Sequence, residues 1–395
     1  MGSLLGVLVL SMLGGPASAE TAARLGGVDY VSFDAFCARN GLADLRPVSS
    51  RLPSDHPQEV PVFTAVDPLG AQVKVEDYFQ VSAPGAKFVF RMGSQQFFFN
   101  GTRHWLSFPL RKTDGGSVMI SKVDTTELVE VLLKGRQAVK SQRFEGVVID
   151  AGHGGHNRGA VGKNGITEKA TTLSTAMELK KILEAEGIKV VMTRASDRFI
   201  ELPGRSSIAN NYKNHLFVSI HFNMGRPSSH GVETYAMTPQ GAASMDAEGK
   251  PSAKDGTRQP GHDFGAESLL LADMVQRELC TLHSPRGDRG VKFARFAVLR
   301  STRMPSILVE GGFLSNAVDA ALIAEEGYRK KLAGSVARGV LKFMDMMATD
   351  PAPSGDTKLA DADPVVEGPA MDGQPHELPS AELSNRTPAQ GKVLN

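Results

Sequence analysis

Four residues far apart in the chain have the types and placement of a hydrolytic metal site: His153, Glu168, His221 and Glu310. His153 follows Val147-Val148-Ile149, a β-branched run that stops at Asp150 and empties into Ala151-Gly152 and then Gly154-Gly155. Such a run reads as a strand buried on both faces of a sheet, and its glycine turn sets the imidazole at the carboxyl edge, where open α/β sheets bind ligands. His221 ends a second apolar run, Leu216-Phe217-Val218-Ser219-Ile220. Glu310 ends a third, Ile307-Leu308-Val309, and again precedes two glycines. Glu168 opens the helical pattern after the first strand and so faces the same edge. Two imidazoles and a carboxylate are a common zinc set that leaves a fourth position for water. Bound zinc lowers the pKa of that water from about 15.7 to about 7. The carboxylate left over, Glu310, suits a general base. Asp150 is placed to accept the second N–H of a ligating imidazole. His156, His215, His230, His262 and His283 lie on loops or at a strand start and share no face with the others.

The elements that must position these residues alternate strand and helix over 146–347, the pattern of a βα sheet. Strands are expected at 147–149, 188–192, 216–220, 231–236, 297–299 and 306–309. Helices are expected at 168–186, with Thr167 as cap and Gly187 as stop, and at 202–211, 269–282 and 328–347. The fold class is therefore α/β: an open, mostly parallel twisted sheet with helices on both faces. Residues 237–265 have no apolar period and read as a long surface loop, a candidate lid.

Ahead of this domain the pattern differs. Residues 1–19 read as an export segment: an apolar core from Leu4 to Leu13, then Gly14-Gly15-Pro16, then Ala17-Ser18-Ala19 as a cleavage site. Residues 20–71 read as a linker with one short amphipathic helix at 33–38. Residues 72–133 read as a small β-rich domain, with Asn100-Gly101 as a hairpin turn and a closing helix at 125–133. Its aromatic run reads as core. Residues 134–145 form a polar linker, so the domain that follows is expected to act without the β-rich one. Residues 348–395, rich in Pro, Asp and Gly, read as a disordered tail.

Composition excludes several classes. Lys+Arg 44 against Asp+Glu 43 leaves no charge surplus to recruit a polyanion, so no nucleic acid is expected. Two cysteines, Cys37 and Cys280, supply neither a disulfide framework nor a thiolate zinc site.

The motifs IDAGHGG at 149, GITEKATTL at 165, VVMTRASD at 190, RSSIAN at 205, FVSIHFN at 217, GVETY at 231, RGVK at 289, FAVLR at 296 and PSILVEGGFLSN at 305 recur in order. In them the chain resembles the zinc-dependent N-acetylmuramoyl-L-alanine amidases of the amidase-3 group, over about residues 146–345. The resemblance implies one zinc ion on His153, Glu168 and His221, with Glu310 as the catalytic glutamate. It implies hydrolysis of the amide between the lactyl group of N-acetylmuramic acid and the first L-alanine of the stem peptide. Peptidoglycan and its muropeptides are then the partners, in the periplasm, cell wall or extracellular space. Membrane contact is expected only through the export segment, and the sequence identifies no activator protein. Asn223 and Arg289 are candidate holders of a substrate carboxylate or acetamido group. Two departures stand out: Phe-Asn-Met follows His221 where the group usually has x-Asn-Ala, and 237–265 is longer than in its compact members. Residues Val81 to Leu133 also resemble the copper-amine-oxidase N-terminal-like stalk domain. The alternatives are a zinc carboxypeptidase acting on wall peptides and an inactive wall-binding or activator protein.

Overall fold

The computed structural model describes residues 22–48, 78–247, 255–282 and 287–348. The reading of 1–19 as an export segment lies outside these residues, as does that of 348–395 as a tail apart from Ala348, which ends a helix.

The site-bearing half is a sheet of six strands: β10 (Gly146–Ala151), β11 (Lys189–Met192), β12 (His215–Asn223), β13 (Val232–Met237), β14 (Asp288–Ala294) and β15 (Ser306–Phe313). Their spatial order is β11-β10-β12-β15-β13-β14. Every pairing in it is parallel except β13 on β15. All residues of β10 and β15 are buried. Their near-continuous apolar runs match a sheet covered on both sides. One cover is formed by the helices Glu168–Ala185, Gly265–Cys280 and Glu326–Ala348. The last presents Leu332, Val336, Val340, Phe343 and Met347 to the core at helical spacing. On the other face Val148, Phe217, Tyr235 and Leu308 pack with Ala209, Val298 and Leu299 from the short helices Leu202–Asn210 and Ala297–Ser301. Each fully buried Leu or Val contributes about 1.5–3 kcal/mol by leaving water.

Residues 297–299 are the end of the strand reading: they are helix, because a short apolar run carries no period of its own to tell the two apart. Thr167 holds the N-cap position of its helix, but its side chain makes no capping bond. The strand β14 has no counterpart among the sequence expectations. Where the segment 237–265 is described it is anchored on the sheet edge rather than lying free: Ala242 and Ser244 are buried, and Arg295 donates to the Ala242 carbonyl (2.7 Å) and pairs with Asp255.

The N-terminal region does not stand apart. Here the strands are β1 (Ala22–Leu25), β2 (Val28–Ser32), β3 (Ala43–Val48), β4 (Tyr78–Ala83), β5 (Ala86–Arg91), β6 (Gln96–Phe99), β7 (Thr102–Trp105), β8 (Arg111–Lys112) and β9 (Val118–Ser121). The segment expected as linker thus supplies strands and a helix, Phe33–Arg39. Strands β1-β2-β9-β8 form a small sheet of their own. The antiparallel meander β7-β6-β5-β4-β3 instead continues the large sheet, because β7 pairs in parallel with β14 at His104 and Val291. The β6–β7 turn is Asn100-Gly101 with φ of 48° and 87°, as a primed two-residue hairpin demands. Phe88, Phe90 and Phe97 are fully buried and stack on one another, so the aromatic run is core. That core is continuous with the one under β10 and β12. The boundary expected at 134–145 therefore separates two parts of one sheet and one core.

Candidate metal centre

The face that carries Val148, Phe217, Tyr235 and Leu308 changes character towards the carboxyl ends of β10, β12 and β15. Two residues further along each strand, period-two alternation brings Asp150, Ser219 and Glu310 onto that face, and His221 two beyond Ser219. Cross-strand register aligns Asp150 with Ser219, His221 with Glu310, and Glu310 with Glu233. A row of polar groups thus crosses the middle of the sheet.

The turn after β10 completes the row. His153 has φ of 61°, a left-handed conformation uncommon outside glycine. Two buried arginines hold it there. Arg205 donates to the carbonyls of Ala151 (2.8 Å) and His153 (2.7 Å), and Arg194 to those of Ala151 (2.8 Å) and Gly152 (2.7 Å). Gly152 is required for close approach: a Cβ there would lie 2.4 Å from the His221 ring.

Glu168 sits between the two imidazoles. Its Oε1 meets Nδ1 of His221 at 2.8 Å and accepts the Phe222 N–H at 3.2 Å. Its Oε2 lies 3.0 Å from Nε2 of His153 and accepts the Ala160 N–H at 2.8 Å. Burial alone would raise its pKa, but the two imidazoles outweigh burial and hold the carboxyl well below the usual range. The same carboxylate, against the opposing effect of burial, raises the pKa of His153. One ligand atom from each of His153, Glu168 and His221 lies within 4.8 Å of the others, and no other such group occurs among the described residues.

The arrangement fits a divalent metal. Nε2 of His153 is buried and makes no well-aligned hydrogen bond, which leaves a donor atom unsatisfied in the protein alone. Nδ1 of the same ring is bonded to Oδ1 of Asn157 at 2.9 Å, which fixes the ring so that Nε2 faces Glu168. Asn157, unremarked in the sequence, therefore takes the part expected of Asp150. Asp150 makes no hydrogen bond to either histidine. It accepts from Thr193 (2.6 Å), Arg205 (2.8 Å) and Ser219 (2.8 Å), and acts on the site by holding Arg205 against the turn.

Glu310 is buried beside the triad without joining it, and its Oε2 has no hydrogen-bond partner among the described residues. Burial, then the neighbouring carboxylates of Glu168 and Glu233, push its pKa well above the ordinary value. Asn223 and Arg289 converge not on open space but on Glu233. Oε1 of Glu233 accepts from Asn223 (2.7 Å) and the Tyr235 hydroxyl (2.8 Å), and Oε2 from Arg289 and Lys292 (both 2.6 Å). A glutamate inside the wholly buried strand β13 was the available signal for this cluster, since a buried charge requires partners. Of the remaining histidines, His156 packs against the Phe199 ring at a tilt of 39°, His215 bonds the Lys213 carbonyl and His262 the Thr238 carbonyl; His283 lies outside the described residues.

Comparison with known proteins gives a consistent result. The profile of the N-acetylmuramoyl-L-alanine amidase family matches residues 147–342. An uncharacterized protein of Bacillus subtilis, YqiI, is 35% identical over 53% of this chain and 89% of its own length. The N-acetylmuramoyl-L-alanine amidase AmiA of Escherichia coli is 32% identical over 52% of this chain and 78% of its own. The solved catalytic domain of the amidase CwlV from Bacillus (Paenibacillus) polymyxa var. colistinus is 32% identical over 51% of this chain and 99% of that one, with a TM-score of 0.41.

Proposed function

The chain belongs to the N-acetylmuramoyl-L-alanine amidase family, and from that premise we propose that His153, Glu168 and His221 hold one zinc ion beside Glu310 as general base. It is a peptidoglycan hydrolase that cleaves the amide between N-acetylmuramic acid and the L-alanine of the stem peptide. The observation that carries the proposed site is the convergence of two imidazoles on one buried carboxylate, with a second carboxylate in register on the next strand.

When bound, zinc supplies Lewis acidity, lowering the pKa of a coordinated water and polarising the scissile carbonyl. The chain's own residues do the rest. Glu168 and the Asn157-oriented His153 fix the geometry of the ligand set, so no reorganisation is needed during the reaction. Glu310, one strand from His221, takes the proton of the attacking water and passes it to the departing alanine nitrogen. The C–O bond forms by addition of the water to the carbonyl carbon, the C–N bond breaks once its nitrogen has received the proton, and a lactyl carboxylate and a free amine are left. Burial and then the two facing carboxylates raise the pKa of Glu310, and a dication held beside it would favour the ionised form. The apolar segment Leu4 to Leu13 and a substrate outside the cytoplasm support export of the chain. Among the described residues no helix is long and apolar enough to cross a membrane.

Stripping the full-length enzyme with a chelator should abolish cleavage of soluble muropeptides, and one equivalent of zinc should restore it. Full activity in protein shown by elemental analysis to be metal-free would remove the metal from the mechanism.

A further inference from the structure

The polar row does not stop at Glu233. In β14, Lys292 is the cross-strand neighbour of Tyr235, and the His104–Val291 pairing places Trp105 of β7 alongside Lys292. The Lys292 ammonium lies 5.2 Å from the centre of the Trp105 ring and 5.8 Å from that of Tyr235. The Trp105 indole N–H donates to the Arg289 carbonyl at 2.9 Å. Trp105 is only half-buried, and the Arg289 side chain, 30% exposed, is the cluster's opening to solvent.

Two cations therefore meet on the single carboxylate of Glu233, next to Glu310 and hence next to the scissile bond. Arg289 engages Glu233 through Nε. A guanidinium held by one edge presents its remaining N–H groups as a fork suited to a carboxylate.

We infer that Trp105, contributed by the N-terminal meander, is a positioning residue of the substrate cleft: it holds Arg289 and Lys292 so that Arg289 receives a carboxylate of the stem peptide. The aromatic face keeps Lys292 on Glu233, and the indole N–H fixes the backbone from which Arg289 projects. The region ahead of residue 146 then completes the substrate site, and the inference rests on the amidase reading above.

The test uses the full-length, zinc-loaded enzyme and two soluble substrates, N-acetylmuramoyl-L-alanyl-D-glutamate and the same molecule with both carboxyls amidated. Trp105→Ala should raise KM for the acid about tenfold, the range of a lost, partly desolvated cation–π contact. It should leave kcat within about twofold, the zinc content unchanged and KM for the amide near the wild-type value. Trp105→Phe, which keeps a ring beside Lys292 but not the N–H, should fall between the two. Should the alanine variant fail to fold, the phenylalanine variant is read by the same criterion. An equal loss on both substrates, a fall in kcat alone, or no change in either would overturn the inference. A wild-type enzyme that cleaves neither substrate would instead overturn the amidase reading, a result distinct from any of these.

Discussion

Glu310→Gln should retain its zinc and lose at least about two orders of magnitude in kcat, since positioned proton transfer is worth about a hundred- to ten-thousand-fold. The substitution keeps the volume and planar shape of the side chain but cannot take up a proton. No ligand atom is touched, because Glu310 stands outside the triad in the sheet register, opposite His221. Burial, then Glu168 and Glu233, raise the Glu310 pKa, so the folded protein must hold this carboxyl protonated; the glutamine variant is free of that cost and should be more stable without metal above the ordinary carboxylate pKa. Metal analysis and single-turnover rates on one preparation separate the outcomes. A variant that loses its zinc would make Glu310 a ligand, and one that keeps the full rate would make it a structural carboxylate.

Removing residues 1–143 should leave a chain that does not fold into active enzyme. Strand β14 would lose β7 and become an exposed edge, a known route to aggregation. Buried Asp273 would lose His104, its partner at 2.9 Å. Asp273 would keep only Arg277 (2.8 Å), and a buried polar group that loses a hydrogen-bond partner costs about 1–3 kcal/mol, against the about 5–15 kcal/mol that stabilises a typical domain. The Arg103 N–H on Asp288 and the Trp105 bond to Arg289 would go as well. Circular dichroism and size-exclusion chromatography of residues 144–348 provide the check. A monomeric, cooperatively melting fragment with the wild-type rate on small muropeptides would show that the shared sheet edge is dispensable.

The two histidines and Glu310 of the candidate metal site are legible in the sequence because each is announced locally. A β-branched run ending in Gly-His-Gly, or in His-Phe-Asn, says both where a strand stops and what it delivers. What is missing from the sequence is what acts across distance. Asp150 looks like a partner for the histidine three residues on; only the fold shows that Arg205, 55 residues away, claims it and passes its hold to the turn. Strand β14 escaped notice because Asp288-Arg289-Gly290-Val291-Lys292 mixes charges and a glycine with its apolar residues. Its charges are met from other elements, Arg289 and Lys292 by Glu233, and Asp288 by Gln276 and the Arg103 N–H. The polar stretch 134–145 reads as a domain boundary for a similar reason: composition reports local solvation, whereas the β7–β14 pairing joins residues nearly two hundred positions apart.

Mass analysis of the products from a defined N-acetylmuramoyl pentapeptide tests the central claim most directly. Cleavage at the proposed site should release N-acetylmuramic acid with a free lactyl carboxyl and an intact peptide beginning with a free L-alanine amine, with both products absent in the Glu310→Gln enzyme. Release of a single carboxyl-terminal residue from a peptide still attached to the sugar would contradict it, and would make the same zinc and glutamate those of a carboxypeptidase.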